Sequence, residues 1–136
     1  MVAGLKECSV TCKIRLLDQA SRNASLCGLQ GTIGLCQRLQ AAGASAICVH
    51  GRTRHNKGAK TREADWDWIR LIKAHPGIHV PIIANGNIET FADVDTCLKQ
   101  TGCDAVMSCE AILGRPSLFS GAVGASIPPA RLAVSA

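Results

Sequence analysis

Short apolar segments alternate with longer amphipathic segments along most of the chain. Four of the short segments are predicted strands, and they cover residues 9–15, 46–50, 80–84 and 104–108. The other segments have apolar residues at helical spacing and predict helices over 32–42, 65–75 and 88–101, with a shorter helix from about residue 116. This repeated order predicts an α/β fold with a parallel sheet and helices outside it. Both a doubly wound sheet and a (βα)8 barrel fit the pattern.

The triplet Asn-Gly-Asn at residues 85–87 follows the third predicted strand and has two interpretations. Asn-Gly is a strong hairpin signal, which favours a tight turn between antiparallel strands. However, Phe91, Val94 and Leu98 recur at helical spacing just after the triplet. We therefore predict a strand-to-helix loop with Asn87 as the helix N-cap, whose backbone N–H groups face a ligand.

The 136 residues are 47% apolar and 18% charged, which is typical of a folded domain, and the formal net charge is +5. That charge is too small to indicate nucleic-acid binding by itself. Five basic residues nevertheless lie within positions 52–62 and together equal the net excess: Arg52, Arg54, Lys57, Lys60 and Arg62. Such a segment is either a solvated loop or a surface for a polyanion such as RNA.

Eight cysteines occur without a C-x-x-C pair or a paired histidine spacing, so the sequence predicts no metal site. Cys12, Cys36, Cys48 and Cys97 lie among apolar neighbours, and we expect them to be reduced core residues. We also expect no membrane segment, because no apolar run approaches the roughly 20 residues of a membrane span. These features favour a cytoplasmic location, with the nucleus as the alternative.

Polar residues stand at the ends of all four predicted strands, where parallel α/β folds bind their ligands. These residues are Lys13, Arg15, His50, Arg52, Asn85, Gly86, Asn87, Cys109 and Glu110. Lys13 is either a surface side chain or a cation that stabilises an anionic ligand. His50 is either a structural residue or a donor to a carbonyl or phosphate oxygen. Because polar groups occur at four strand ends together, we predict one binding site there.

Four strands cannot close a barrel of this type, which has eight. An open four-stranded sheet also has two free edges that invite further pairing. We therefore expect a partial chain or a chain that needs a partner.

Four segments, in the same order, resemble the tRNA-dihydrouridine synthase family: VTCKIR at 10–15, VHGRTRHNKG at 49–58, IIANGNI at 82–88 and DAVMSCEAILGRPSLF at 104–119. They look most similar to the eukaryotic branch that modifies neighbouring tRNA positions 16 and 17. The resemblance implies an FMN-binding TIM barrel, in which residues 1–119 would form about four βα units, the C-terminal half. Residues 120–136 are expected to be a disordered or poorly structured tail.

The resemblance also implies the reaction and the cofactor contacts. The family reduces uridine to 5,6-dihydrouridine in tRNA with FMN, and NADPH re-reduces the flavin. By position, Lys13 and His50 would contact the FMN ring or its phosphate. The remaining cofactor residues would be Asn85, Gly86, Asn87, Cys109 and Glu110.

Basic residues would make the implied substrate contacts. Arg15 and Arg52 would face the uracil, and Arg54 and Lys57 would lie towards the tRNA backbone. The N-x-G-C-P loop that carries the family's catalytic cysteine has no counterpart in the chain, so no catalytic residue is assigned. We therefore expect a fragment that needs the N-terminal half of the barrel and is inactive alone.

Glu110 departs from the family pattern, because many members have arginine at this position. The most similar branch tolerates glutamate there, so the resemblance implies that backbone N–H groups suffice for the phosphate, although a side-chain cation is missing at the final turn. Two other functions stay open beside the synthase: a non-catalytic RNA-associated module, and another phosphate-binding half-barrel that acts on, for example, a sugar phosphate. Flavin binding separates the synthase from the RNA module, and a response to tRNA separates it from the half-barrel.

Overall fold

The computed structural model describes residues 8–18, 27–56 and 63–121. The strands are β1 (Thr11–Leu16), β2 (Ala46–Thr53), β3 (Ile82–Asn85) and β4 (Ala105–Met107). The helices are α1 (Gly28–Ala41), α2 (Trp66–Lys73), α3 (Phe91–Thr101) and α4 (Glu110–Gly114), and a 3₁₀ turn spans Leu118–Ser120. This alternation confirms the predicted α/β class. No helix within the described ranges is long and apolar enough to cross a membrane.

The four strands form one parallel sheet whose spatial order, β1-β2-β3-β4, is also their order along the chain. A doubly wound sheet reverses its order at a switch point, whereas consecutive neighbours are typical of a (βα)8 barrel. The helices agree with a barrel, because buried residues of α1, α2 and α3 join one core with residues of a single sheet face. The described fold therefore has the arrangement of four consecutive units of a partial TIM barrel.

The core lies between that sheet face and the helices. Its fully buried members are Ile47, Val49, Ile82 and Ala84 from the strands, and Cys36, Ile69, Ile72 and Cys97 from the helices. Burying one isoleucine side chain stabilises a fold by about 1.5–3 kcal/mol, so this layer accounts for the docking of the helices. Three of the four cysteines expected in the core are buried, and Cys12 is half-buried.

The opposite face of the sheet is more open. Lys13, Cys48, Ile83 and Ala105 are register partners on this face. Cys48 is buried and Ile83 is half-buried, but Lys13 and Ala105 are exposed. Parallel sheets normally have both faces covered. We name this surface the inner face, because it is the side away from the helices and would face the interior of a closed barrel.

Helix α1 begins at Gly28, four residues before the predicted start at residue 32. The Thr32 hydroxyl donates to the carbonyl oxygen of Gly28 at 2.8 Å and accepts from the amide of Leu17 at 3.0 Å. The amide of Gly28 also donates to the carbonyl oxygen of Asp18 at 3.0 Å. These bonds fix the first turn of α1 against the end of β1. The prediction was wrong here because glycine disfavours helices locally, and the compensating contacts are tertiary.

The prediction that Asn87 caps the third helix was also wrong. Helix α3 starts at Phe91, and its N-cap is Thr90, which forms a capping box with Asp93. Asp93 Oδ2 accepts from the amides of Glu89 and Thr90 at 3.0 and 2.7 Å. Asn87 instead has a φ of 59°, in the left-handed region, so it belongs to the loop before the helix.

The fourth helix lies earlier than predicted. It occupies Glu110–Gly114, and only a 3₁₀ turn follows where a helix from about residue 116 was expected. Pro116 disfavours helical backbone in the residue before it, which accounts for the end of α4 at Gly114. Arg115 accordingly has a φ of −141° and a ψ of 79°. Most of the predicted tail, from residue 122 onwards, lies outside the described residues.

Candidate functional site

A transverse row of side chains crosses the carboxyl ends of the four strands. Arg15, His50, Asn85 and Met107 are register partners in neighbouring strands. Register partners in a parallel sheet point to the same face, and here it is the inner face. Lys13 lies two residues before Arg15 and points to the same side. Residues that are far apart in the sequence therefore meet at one rim.

These side chains line a cleft of about 360 Å³. Every residue predicted to bind the cofactor lines it, and so do two predicted to bind substrate: Lys13, His50, Asn85, Gly86, Asn87, Cys109 and Glu110, with Arg15 and Arg52. Arg54 is exposed and is not in the lining, and Lys57 lies outside the described residues. Sites for small ligands commonly enclose about 300–1,000 Å³, so the cleft is large enough for one. The role of each residue in binding stays a prediction.

The lining also includes five residues that were not predicted to bind the cofactor or the substrate: Ile88, Glu89, Met107, Ser108 and Ala111. Ser108 Oγ donates to the carbonyl oxygen of Ile88 at 2.8 Å and so links the end of β4 to the loop after β3. Met107 Sδ accepts from Cys48 Sγ at 3.6 Å. The position of Met107 at the end of a predicted strand could have identified it, whereas Glu89 had no comparable signal.

Arg52 belongs to β2 and not to the predicted basic loop, because the strand continues to Thr53. Its Nη2 donates to Asn87 Oδ1 at 2.6 Å. A hydrogen bond from a guanidinium group is charge-assisted and stronger than one between neutral groups. The bond therefore fastens the end of β2 to the loop at residues 85–87.

The loop at residues 85–87 is also fixed by the start of α2. Trp66 Nε1 donates to the carbonyl oxygen of Gly86 at 3.0 Å. Gly86 has a φ of +107°, and a Cβ there would lie 2.7 Å from Ala64 Cβ, so the position requires glycine. Trp66 lies 20 residues before Gly86, and nothing in the sequence indicated this contact. The path of the loop is thus determined by the protein itself.

Two buried polar atoms in the cleft wall have no hydrogen-bond partner among the described residues: His50 Nδ1 and Asn85 Oδ1. Asn85 is only 3% exposed, and its Nδ2 donates to the carbonyl oxygen of Met107 at 2.7 Å. That bond orients the amide and leaves its oxygen as a free acceptor. Buried polar groups in native proteins are almost always paired, so these two atoms indicate a polar ligand or water.

The protonation state of His50 is determined by its surroundings. Burial, together with the positive charges of Arg15, Lys13 and Arg52, lowers the pKa of His50 from 6.5 to about 4, and burial is the largest cause. At neutral pH the imidazole is therefore uncharged, and it has one N–H donor and one acceptor nitrogen. The positive charge of the cleft comes from its lysine and arginines.

Charge is unevenly distributed around the cleft. The cations Lys13, Arg15 and Arg52 belong to β1 and β2, whereas the carboxylates Glu89 and Glu110 follow β3 and β4. Arg15 Nη1 donates to the carbonyl oxygen of Thr53 at 2.9 Å, which keeps its charge beside the end of β2. Within residues 8–18, 27–56 and 63–121, no group of three potential metal ligands is present. The cations on the β1 and β2 side of the cleft are suited to an anionic group of a ligand.

Comparisons with known proteins identify the family of the chain. The model of the dihydrouridine synthase (Dus) family matches residues 1–133. A mouse protein named tRNA-dihydrouridine(16/17) synthase-like is 38% identical over 112 residues, which are 82% of this chain and 21% of the relative. A Schizosaccharomyces pombe protein named tRNA-dihydrouridine(16/17) synthase is 37% identical over 110 residues, which are 81% of this chain and 25% of the relative.

A relative from a second branch gives a similar result. A human protein named tRNA-dihydrouridine(20a/20b) synthase-like is 34% identical over 113 residues, which are 83% of this chain and 31% of the relative. The chain therefore spans about a fifth to a third of the length of these relatives. Because the family match extends over nearly all of its residues, the chain belongs to the dihydrouridine synthase family.

Proposed function

We propose that the chain serves the FMN-dependent reduction of uridine to 5,6-dihydrouridine in tRNA, and that it contributes part of the wall of the flavin site. One observation carries the proposal: in a member of this family, the cleft at the strand ends presents two buried, unpartnered polar atoms beside three cations. The names of the relatives, which refer to tRNA dihydrouridine synthesis, support the substrate.

The residues present fit FMN, which is an anionic cofactor with a flat polar ring. Asn85 Oδ1 is a buried acceptor that needs an N–H donor, and a flavin ring has such a group. His50 Nδ1 adds a second polar contact from a neutral imidazole. When bound, the flavin supplies hydride transfer to the C5–C6 double bond of uracil, and NADPH restores its reduced form.

The chain's own residues orient the reactants and stabilise charge. Lys13 lies in a wall that is open to solvent, where its ammonium group would stabilise negative charge on the pyrimidine edge of the ring. Arg15 lies two residues nearer the carboxyl end of β1 than Lys13 does, so it is the side chain that we assign to the uracil. The loop at residues 85–87 and the turn at Cys109 and Glu110 would enclose the rest of the cofactor.

The tRNA backbone would contact basic residues outside the cleft. Arg54 is exposed beyond the end of β2, and we assign it, with Lys57, to the phosphates of the substrate. None of the eight cysteines is assigned as the proton donor of the reaction. We therefore expect little or no reduction of tRNA by this chain alone, even where it binds the flavin.

A flavin titration tests the proposal. The purified chain should quench FMN fluorescence and shift its absorbance, and Asn85→Ala should weaken this response by about fivefold or more, because it removes a buried contact worth about 1 kcal/mol or more. Circular dichroism would verify that the variant is folded. Unchanged FMN spectra at every chain concentration would contradict flavin binding. Binding of tRNA without flavin would then favour the RNA module, and binding of a sugar phosphate without tRNA would favour the other half-barrel.

A further inference from the structure

We propose that a second copy of this chain covers the inner face, and that the two copies close one eight-stranded barrel. The barrel would have two identical junctions, each between β4 of one copy and β1 of the other. This contact goes beyond the proposed function and forms without flavin. Three features carry it: the order of the strands, the side chains of the inner face, and the opposite charges at the two edges of the sheet.

The sheet has half of the strands that a (βα)8 barrel needs. Its four parallel strands follow one another in spatial order, so β1 and β4 are the edges among the described residues. Edge strands present unpaired backbone N–H and C=O groups, which favour pairing with another strand. A twofold rotation about the barrel axis keeps all strands parallel and places each β4 beside the β1 of the other copy. Association then ends at two copies, because the rotation closes and both edges are used.

The inner face has apolar side chains that a second copy would bury. Cys48, Ile83 and Ala105 form one row of register partners on this face. Ala105 is exposed and Ile83 is only half-buried. The interior of a closed barrel is filled by side chains from its strands, so the two inner faces would pack against each other. Removing their apolar surface from water favours association.

The geometry of a closed barrel determines which residues meet at each junction. Lys13 and Ala105 lie at the same level of the sheet, because a continuous row of register partners connects them. A (βα)8 barrel has a shear of about eight residues, so each of two identical halves shifts the register by about four. Lys13 of the second copy would therefore lie opposite Cys109 or Thr101, on either side of Ala105 along the chain. Thr101 belongs to α3, so Cys109, which follows β4, is the position that fits.

The two edges carry opposite charges at this level. Lys13 is exposed on β1, and Glu110, the neighbour of Cys109, is exposed in the first turn of α4. Each junction would therefore bring an ammonium group of one copy close to a carboxylate of the other. A contact between two β1 edges would instead place lysine against lysine, and like charges repel. The charges thus favour the junction of β4 with β1 over the pairing of like edges.

Exposed apolar side chains mark the β4 side of the sheet. Four large hydrophobic residues are exposed within the described ranges, and three of them, Phe91, Leu113 and Phe119, belong to elements next to β4 along the chain. Leu113 in α4 is 82% exposed, and no residue of α4 is buried. In a (βα)8 barrel the helices form a ring outside the strands, so α4 would lie over the junction beside α1 of the second copy. That contact would cover apolar surface that is otherwise open to water.

Sedimentation equilibrium of the full chain without ligand measures the association. Lys13→Glu and Glu110→Lys each make both junctions repulsive in a pair of identical copies. An equimolar mixture of these two variants is the decisive sample. In a mixed pair, the new glutamate at position 13 faces the new lysine at position 110, and the unchanged Lys13 faces the unchanged Glu110. Lys99→Glu, which reverses the charge of an exposed lysine in α3, is the matched control.

We expect the unchanged chain to have twice its single-chain mass of 14.3 kDa, with no larger species. Each single variant should raise the dissociation constant of the dimer by about tenfold or more, because two exposed ion pairs become two repulsive contacts. The mixture should recover the affinity of the unchanged chain, and Lys99→Glu should retain it. Added salt should weaken the unchanged dimer and strengthen the self-association of each single variant, because it screens attraction and repulsion alike. Circular dichroism would show that each variant is folded.

Four results would overturn the inference. A mass of 14.3 kDa at every chain concentration would mean that no second copy binds. Species larger than two copies would mean that the edges pair without closing a barrel. Single variants that stay as dimeric as Lys99→Glu would mean that another surface forms the dimer. A mixture of folded variants that fails to associate would exclude the junction of β4 with β1. None of these results would change the proposed flavin binding, which the FMN titration tests separately.

Discussion

His50 and Asn85 are neighbours in the transverse row, and each buries one polar atom without a partner. Leaving a buried polar group unpaired costs about 1–3 kcal/mol, so such groups reduce the stability of the ligand-free protein. Asn85 cannot turn to find another partner, because its Nδ2 is bonded to the carbonyl oxygen of Met107. The same geometry that destabilises the fold presents both atoms to a ligand, which is typical of a binding site.

The neutral state of His50 predicts how stability depends on pH. Burial, with the charges of Arg15, Lys13 and Arg52, lowers the pKa of His50 to about 4 from 6.5. The unfolded chain therefore takes up this proton at a higher pH than the folded chain does. Stability that is fully present above about pH 6.5 should be lost progressively as the pH falls towards 4. Urea unfolding of the wild type and of His50→Gln at several pH values measures the effect.

The His50→Gln variant should show a flatter profile between pH 6.5 and 4. His79→Gln, which changes an exposed histidine, is the matched control and should follow the wild type. Asp104 does not account for a stability change between pH 6.5 and 4, because a hydrogen bond from Lys73 lowers the pKa of Asp104 below its ordinary value of 3.8. Its contribution is present above that pH and is lost only below it. Parallel profiles for wild type and His50→Gln would show that the imidazole is not neutral in the folded state.

At the scale of secondary-structure elements, the sequence predicted the type of each strand and of the first three helices, but not every boundary. Strand identity followed from short apolar runs, and parallel pairing then placed the strand ends at one rim. The start of α1 was not predicted, because hydrogen bonds of the Thr32 hydroxyl offset the low helix propensity of two glycines in the first turn. The bond between Arg52 and Asn87 also escaped, since it depends on β2 extending three residues further than its apolar pattern.

The N-terminus of α3 offers a test of local stability next to the site. Thr90→Ala should lower the free energy of unfolding by about 1 kcal/mol, because Thr90 Oγ1 no longer accepts from the amide of Asp93. Thr96→Ala is the matched control: its hydroxyl donates to the carbonyl oxygen of Ala92 within the same helix, and alanine favours helices. Urea unfolding measures both. Equal losses in the two variants would show that the capping box contributes nothing specific.

At the scale of the whole molecule, the described residues form one wall of a site and do not enclose it. The inner face leaves Lys13 and Ala105 exposed, and β1 and β4 each pair with one strand among the described residues. Well-formed sites bury about 70–90% of a ligand's surface. A single wall buries less, while the loss of translational and rotational freedom on binding is the same. Affinity for FMN should therefore rise when a second wall covers the inner face.

Mixing experiments can supply that second wall. The part of the Schizosaccharomyces pombe relative that lies outside the matched segment would be added to the chain, and FMN affinity would be measured at each ratio. We expect affinity to increase by tenfold or more, because each 1.4 kcal/mol of added contact corresponds to about tenfold. A concentration series of the chain alone is the control, since a second copy covering the same face would raise affinity without any addition. If affinity stayed constant in both series, the inner face would not be a surface that another part of a barrel completes. The inner face would then be an ordinary solvated surface. Flavin binding by this chain would depend on the residues at the carboxyl ends of the strands alone.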